Sequence, residues 1–282
     1  MSTLFQLLVS SRPLSWINTA FPFAAAYLLS TGRIDVTLVV GTVFFLIPYN
    51  LAMYGINDVF DYESDLLNPR KGGVEGALLD PRIHRTTLWA AALSCAPFLV
   101  YLVLVGNAAS WLVLAISMFA VVAYSVKGLR FKEKPFLDSL TSSIHFVSPA
   151  VYALVLAGAA FTPALGLILV SFLLWGIASH AFGAVQDIVA DRESAISSIA
   201  TVIGGRATVR LAVLTYVVAG LLLLGTDWPG PIAALAALPY AISTAQWWNV
   251  RDEEAEGANR GWKRFLWFNF FAGALVTMLM MA

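Results

Sequence analysis

The sequence predicts an all-α, polytopic membrane protein, and two observations support that fold class. Hydrophobic residues make up 59% of the 282 residues, charged residues only 12%, and the mean hydropathy is +0.78. A soluble domain typically contains about 25% charged residues, so this composition argues against one. The apolar residues also form stretches of about 20, which is the length that an α-helix needs to cross a bilayer.

Nine such stretches follow one another along the chain. We expect transmembrane helices near residues 14–31, 37–57, 88–105, 108–126, 136–159, 163–183, 207–225, 230–249 and 262–281. We expect them to form a single transmembrane domain over residues 1–282, with the nine helices around a central cavity.

The basic residues predict the orientation of these helices. With nine spans, sixteen of the 17 Lys and Arg residues fall on one side of the membrane, and only Arg33 falls on the other. Basic loops stay on the cytoplasmic side, so we expect a cytoplasmic N-terminus and an outside C-terminus. The two longest inner loops are 58–87 and 184–206. We therefore expect a plasma-membrane protein whose active site opens to the cytoplasm.

The first cluster of acidic residues lies at the end of the second span. Asn57, Asp58, Asp61 and Asp65 are spaced so that the three carboxylates lie roughly on one helix face. Carboxylates at the end of an apolar helix are costly and are rarely kept without a partner. Hard oxygen ligands suit magnesium, which typically takes one or two carboxylates plus substrate phosphate. We predict that these four residues bind Mg²⁺, although a single acid here would be explained by simple solvation.

A second acidic pair lies at the end of the sixth span. Asp187 and Asp191 are four residues apart, and Asp187 follows Asp61 by 126 residues with four spans between them. Both motifs open a long inner loop, which suggests a weak internal repeat. We predict that Asp187 and Asp191 also bind Mg²⁺, and that Asp61, Asp187 and Asp191 are catalytic.

Basic residues near the motifs are candidates for binding a diphosphate. A diphosphate needs cationic partners, and Tyr124 and Lys127 share a helix face three residues apart. Lys127 is also a candidate catalytic residue, although basic residues after a span often reflect topology alone. The predicted diphosphate-binding residues are Asn57, Arg70, Lys71, Tyr124, Lys127 and Arg130.

Two intramembrane histidines are weaker candidates. His145 and His180 lie within predicted spans, where a histidine more often makes a hydrogen bond between helices than takes part in catalysis. The chain has no glycine-rich nucleotide loop, nucleophile elbow or zinc-ligand spacing, so a P-loop enzyme and a hydrolase are unsupported. We expect no nucleic-acid partner.

Three motifs together resemble the UbiA superfamily of intramembrane prenyltransferases. They are Asn57-Asp58-x-x-Asp61-x-x-x-Asp65, Tyr124-x-x-Lys127 and Asp187-x-x-x-Asp191, set among nine spans. The resemblance implies that the acids bind magnesium and a prenyl diphosphate while the inner loops cap the site. The runs 11–16, 45–50, 54–65 and 68–73 are similar, more narrowly, to the lycopene elongase branch.

That narrower resemblance implies transfer of a dimethylallyl group from dimethylallyl diphosphate to the terminal alkene of lycopene, with or without hydration. Lys127, Arg130 and Arg70 would take up the leaving group's charge, and Asp191 or His145 would handle the final proton or water. The chain departs from quinone-type members by reading Asn68-Pro69-Arg70-Lys71. Another lipophilic acceptor stays open: a quinone precursor, a porphyrin or a glycerol phosphate. So does a transporter in which the acids couple ions.

Overall fold

The computed structural model describes residues 2–68 and 77–281. The chain is 81% helical, and no strand occurs in those described residues, so the predicted all-α class is confirmed. The helices are α1 (Thr3–Ser10), α2 (Ile17–Thr31), α3 (Val36–Leu46), α4 (Pro48–Phe60), α5 (Tyr62–Leu67), α6 (His84–Val105), α7 (Ala108–Ser125), α8 (Leu137–Leu156), α9 (Pro163–Val185), α10 (Ile188–Glu193), α11 (Ile199–Ile203), α12 (Gly205–Leu223), α13 (Ala237–Ala245) and α14 (Asn259–Met281).

Every predicted span coincides with helical structure. Six segments of the described chain are long and apolar enough to cross a membrane, and they establish an integral membrane protein. They are Val36–Phe60, Pro81–Val105, Ala108–Ser125, Leu137–Leu156, Pro163–Val185 and Gly205–Leu223. Of the other three predicted spans, α2 has 15 residues, Gly230–Ala245 is a shorter apolar helix, and the last is α14. The count of nine and the orientation stay predictions.

The helices group into two compact units. The N-terminal unit contains Met1–Arg130 and Ser148–Ala159, and the C-terminal unit contains Phe131–Val147 and Ala160–Ala282. Helix α8 contributes residues to both units. Each unit carries one of the two acidic motifs at a helix end.

Aromatic rings fill the core of the N-terminal unit around a helix break. The ring of Phe45 lies 5.2 Å from those of both Phe23 and Tyr49. Pro48 begins α4 and separates it from α3. The amide nitrogen of Asn50 donates to the carbonyl oxygens of Phe45 (2.8 Å) and Leu46 (3.0 Å) beside the break. These bonds satisfy backbone groups for which a bilayer offers no partner, so the buried Asn50 is structural.

The C-terminal unit packs α9 against α12, with α13 and α14 on further faces of the core. Small residues such as Ala178 and Ala212 let these helices approach each other. Tyr216 and Ser179 share a buried hydrogen bond of 2.9 Å across α9 and α12. This packing holds the C-terminal end of α9, where the second acidic motif begins.

Candidate active site

The first acidic motif lies where α4 ends. Helix α4 stops at Phe60, Asp61 caps it, and α5 starts directly afterwards at Tyr62. The backbone N–H of Asp65 still donates to the carbonyl of Asp61 (2.8 Å), so the two carboxylates stay one turn apart. Asp58, Asp61 and Asp65 are only 1%, 4% and 6% exposed. Such buried carboxylates require partners.

Asp58 obtains its partners from the N-terminal segment. Its Oδ1 accepts from the Arg12 guanidinium (3.0 Å) and its Oδ2 from the Ser10 hydroxyl (2.8 Å). The Arg12 guanidinium also lies 4.3 Å from the centre of the Tyr54 ring. Burial by itself lowers the pKa of Arg12, but Asp58, Tyr54 and Asp65 together raise it above its ordinary value. Arg12 is therefore a cation tied to the motif.

Asp61 obtains its partners from α4 itself and from the turn that follows α7. The side-chain amide of Asn57 donates to Asp61 Oδ2 (2.6 Å) and to the Ser125 hydroxyl (3.1 Å). The Arg130 guanidinium lies 3.5 Å from Asp61 Oδ1. Asn57 and Arg130, both predicted diphosphate-binding residues, thus meet at the same carboxylate. Asn57 makes both of these bonds through its amide nitrogen and neither through its Oδ1.

Helix α7 carries Tyr124 but ends at Ser125, and the following Val126 is extended. Lys127 therefore lies beyond the helix, and the predicted shared helix face of Tyr124 and Lys127 is wrong. Tyr124 is half-buried and Lys127 is exposed. Arg130 follows at a positive φ of 40°, in a turn that also contains Gly128 at φ 93°. A non-glycine residue at positive φ is strained, and such strain is concentrated at functional sites. The predicted diphosphate-binding residues Arg70 and Lys71 lie outside the described residues.

The second acidic motif lies where α9 ends. Asp187 follows the α9 cap residue Gln186 and itself caps α10. The backbone N–H of Asp191 donates to the Asp187 carbonyl (2.8 Å), which places the carboxylates one turn apart, as predicted. Both are half-buried. They are therefore more open than the acids of the first motif.

A buried polar network lies in the same unit as this motif. Asp138 is 0% exposed, and its Oδ2 accepts from the backbone N–H of Ile199, the first residue of α11 (2.7 Å). Its Oδ1 accepts from the Ser139 backbone (2.6 Å) and hydroxyl (3.2 Å). The Ser139 hydroxyl is also 3.1 Å from His180 Nδ1. His180 thus makes the interhelical contact that is usual for an intramembrane histidine, while His145 is 2% exposed.

An ion pair also fixes helix α10. Arg192 donates to Asp252 Oδ2 (2.8 Å) and to the Thr201 carbonyl (3.0 Å). The backbone N–H of Gly205 donates to Asp252 Oδ1 (2.7 Å). Burial raises the pKa of Asp252, but the Gly205 bond and Arg192 outweigh it and hold the pKa below its ordinary value. Asp252 thereby links α10 to the start of α12.

The donors of the two motifs fit magnesium by their chemistry. Asn57, Asp61 and Asp65 offer an amide and two carboxylates, and Asp187 with Asp191 offers two more carboxylates. In the described part of the chain, no group of three or more His, Cys, Asp or Glu side chains is placed to hold a metal alone. Mg²⁺ typically takes one or two carboxylates and completes its coordination with water and phosphate.

Apolar helices of membrane-crossing length and an acidic helix end in each unit define an integral membrane protein that carries oxygen ligands for cations. The model of the "UbiA prenyltransferase family" matches residues 19–274, and the chain belongs to this family. The family resemblance predicted from the motifs is confirmed.

Individual relatives sharpen this assignment. The chain is 55% identical to a lycopene elongase/hydratase of Corynebacterium glutamicum over 276 residues, covering 98% of this chain and 96% of the relative. It is 57% identical, over all of its own length and 65% of the relative's, to the C(50) beta-cyclic carotenoids biosynthesis protein LbtBC of Dietzia sp. strain CQ4. The fold is similar to a UbiA homolog from Archaeoglobus fulgidus bound to DMAPP and Mg²⁺. The TM-score is 0.69 at 16% identity, over 95% of this chain and 99% of that one.

Sequence reasoning missed several residues that support the motifs. Ser10, Ser125, Asp138 and Ser139 contact predicted site residues or hold the elements that carry them, yet their spacing in sequence gives no sign of it. The unusual polarity of the fifth span is the one available signal, and it covers Asp138 and Ser139. Ser10 and Arg12 lie 48 and 46 residues before Asp58, so no local pattern connects them.

Proposed function

We propose that this prenyltransferase moves a dimethylallyl group from dimethylallyl diphosphate to the terminal alkene of lycopene and so makes fifty-carbon carotenoids, with or without hydration. The observation that carries the proposal is the 55% identity, across nearly the whole of both chains, with a protein named lycopene elongase/hydratase. The alternative is prenyl transfer to another lipophilic acceptor: a quinone precursor, a porphyrin or a glycerol phosphate.

The acids hold the diphosphate substrate through Mg²⁺. We assign this role to Asn57, Asp61 and Asp65 in the first motif and to Asp187 and Asp191 in the second. When bound, the metal acts as a Lewis acid that stabilises the departing diphosphate. The donor chemistry of these residues and the Mg²⁺ named with the fold relative support the dependence on magnesium.

Cationic side chains assist the departure of the leaving group. The bond between the allylic carbon and the diphosphate oxygen breaks, and the diphosphate carries the electron pair away. Lys127 and Arg130 stabilise the negative charge that develops there, with Tyr124 beside them. Arg70 and Lys71 stabilise the same charge on the leaving diphosphate.

The allylic cation is then attacked by the terminal alkene of lycopene, which forms the new carbon–carbon bond and leaves a tertiary cation. That cation either loses an adjacent proton and becomes an alkene, or adds water and then loses a proton. Asp191 is the better placed of the two predicted proton acceptors, because it is half-buried whereas His145 is almost wholly enclosed. This reaction takes place in a site open to the cytoplasm and to the bilayer of the plasma membrane, where lycopene dissolves.

Pigment analysis tests this function directly. The chain is expressed in a lycopene-producing host, and carotenoids are separated by liquid chromatography and identified by mass spectrometry. Wild type is compared with an Asp61→Ala, Asp187→Ala double variant. The matched control removes two exposed carboxylates elsewhere, Asp227→Ala with Glu254→Ala.

We expect wild type and the control to convert lycopene into pigments heavier by one or two five-carbon units, with added water if hydration occurs, and the double variant to leave lycopene unchanged. Unchanged lycopene with well-folded wild-type protein would contradict the lycopene proposal and favour the other acceptors. Ion-driven flux in liposomes without any release of diphosphate would favour the transporter.

A further inference from the structure

Asp58 differs from the other acids of the first motif in what its carboxylate contacts. Its two oxygens accept from different side chains of the N-terminal segment, Arg12 at 3.0 Å and Ser10 at 2.8 Å. Its side chain has no exposed surface. Asp61 lies at the longer distance of 3.5 Å from its arginine and also accepts from the neighbouring Asn57.

Arg12 is held in place from several sides. Its backbone is in the left-handed region at φ 52°, directly before Pro13, although a residue that precedes proline favours extended conformations. Its guanidinium packs on the Tyr54 ring, one turn before Asp58 on α4. Helix α1 packs along α4 as well. An unfavourable backbone conformation that is fixed by its surroundings is typical of a residue with a specific task.

Electrostatics disfavour a metal ion on Asp58. A divalent cation bound to this carboxylate would have to displace the Arg12 guanidinium or share an oxygen with it. Both choices leave two positive charges close together in a buried place, where charge repulsion is strong. The ion pair with Arg12 already satisfies the buried carboxylate, and removing one partner of a buried pair is costly.

We propose that Asp58 is a positioning residue and not a ligand of Mg²⁺. It pairs with Arg12, and through this pair it fixes α1 against α4 and keeps a positive charge beside the carboxylates that bind the metal–diphosphate complex. The inference rests on the proposed function only in that it assumes a prenyl diphosphate substrate. It replaces the predicted metal role of Asp58 and adds Ser10 and Arg12 to the site.

The test compares two binding parameters in full-length purified protein. One is the Mg²⁺ concentration that gives half-maximal binding of a non-hydrolysable dimethylallyl thiolodiphosphate, and the other is the affinity for this analogue at saturating Mg²⁺. The variants are Asp58→Asn, Arg12→Gln and their combination. Asp61→Asn serves as the metal-ligand reference, and Glu63→Gln, an exposed acid of the same motif, is the control.

We expect Asp58→Asn and Arg12→Gln each to weaken binding of the analogue about tenfold, because the positive charge beside the diphosphate is displaced or lost. The half-saturating Mg²⁺ concentration should stay within about twofold of wild type, whereas Asp61→Asn, which removes a charged oxygen ligand, should raise it about tenfold or more. The combined variant should bind the analogue no more weakly than either single variant, because losses from two partners of one interaction do not add. A rise in the Mg²⁺ requirement of Asp58→Asn, like that of Asp61→Asn, would overturn the proposal, and so would additive losses.

Two further measurements keep the proposal testable if a charge-removing variant fails to fold or wild type binds no analogue. Ser10→Ala removes one donor to Asp58 without changing any charge, and we expect a smaller loss of analogue affinity at an unchanged Mg²⁺ requirement. A spin label at Leu4→Cys reports the mobility of α1, and the native Cys95 is buried. We expect mobility to rise in Ser10→Ala and Asp58→Asn but not in Asp61→Asn. Absence of analogue binding by wild type would contradict the proposed function. An α1 that is equally immobile in every variant would contradict the proposed positioning role of the Asp58–Arg12 pair.

Discussion

The two acidic motifs hold their carboxylates in different ways. In the first motif, the three aspartates are buried, and arginines from the segment after α1 and from the turn after α7 contact Asp58 and Asp61 directly. In the second motif, Asp187 and Asp191 are half-buried. Stabilising contacts near this motif are made by Asp138, which accepts from Ile199, and by Asp252, which pairs with Arg192. The contacts described for the first motif reach the acids themselves, whereas Asp138 and Asp252 accept from the backbone N–H groups of Ile199 and Gly205, which follow the second motif along the chain.

Two similar acidic motifs in one chain can thus be stabilised by different kinds of contact. A buried carboxylate needs a partner of its own, because desolvation disfavours the charge. A half-buried carboxylate keeps some water, so its charge depends less on one particular partner. Substitutions at the acids and at Asp138 or Asp252 should therefore have separable effects on activity and on stability.

The largest effect is expected from the metal ligands and tests the difference in burial. Lewis-acid stabilisation is worth several kcal/mol, and each 1.4 kcal/mol is about tenfold in rate. We expect Asp61→Asn to lower kcat/KM on the order of 10³-fold, and Asp191→Asn less, because water can replace part of an open ligand. Initial rates of pigment formation in membranes give the ratio, with Glu63→Gln as control. An equal or greater loss in Asp191→Asn would contradict the expected effect of burial on the two motifs.

A smaller effect is expected from Asp138. Asp138→Ala leaves the buried N–H of Ile199 without its partner, which typically costs about 1–3 kcal/mol. Thermal unfolding in detergent should show a clear fall in Tm, larger than that of Ser198→Ala, which removes only the α11 cap and costs about 1 kcal/mol. Analogue affinity at saturating Mg²⁺ should change less than in Asp61→Asn. An unchanged Tm would mean that Asp138 does not support this motif.

The smallest effect is expected from the pH dependence of the Asp252 contacts. Its pKa is lower in the folded protein than in the unfolded chain. Its contribution is therefore present above the unfolded value of about 3.9 and is lost as the pH falls through the folded value. The contribution is on the order of 1 kcal/mol or less, because the pair is partly exposed.

We therefore expect Asp252→Asn to have a slightly lower Tm than wild type at pH 7, and the two Tm values to converge as the pH falls below about 4. Glu254→Gln, which changes an exposed acid nearby, should track wild type throughout. A Tm difference that keeps its full size from pH 7 down to pH 3 would show that the stabilisation does not come from the carboxylate charge of Asp252.

The sequence predicted the helices and the two motifs well, because both depend on neighbouring residues. The predicted span 163–183 became α9 at Pro163–Val185, and the Asp187–Asp191 spacing became one helical turn. The role of Asn50 is a different case. It completes the hydrogen bonds at the Pro48 break, where a proline frees carbonyl oxygens, and no spacing pattern in the sequence reveals this.

An all-helical membrane protein of the UbiA family, with an acidic motif at each of two helix ends, could be predicted from the amino-acid sequence alone. Composition and helical periodicity act over one or two turns, so they are readable from neighbouring residues. The pairing of Asp58 with Arg12 and the bond from the Ile199 N–H to Asp138 span 46 and 61 residues, and they are seen only in the folded structure. These partners are chosen by which helices pack together, and many sequences with the same local pattern would pack differently.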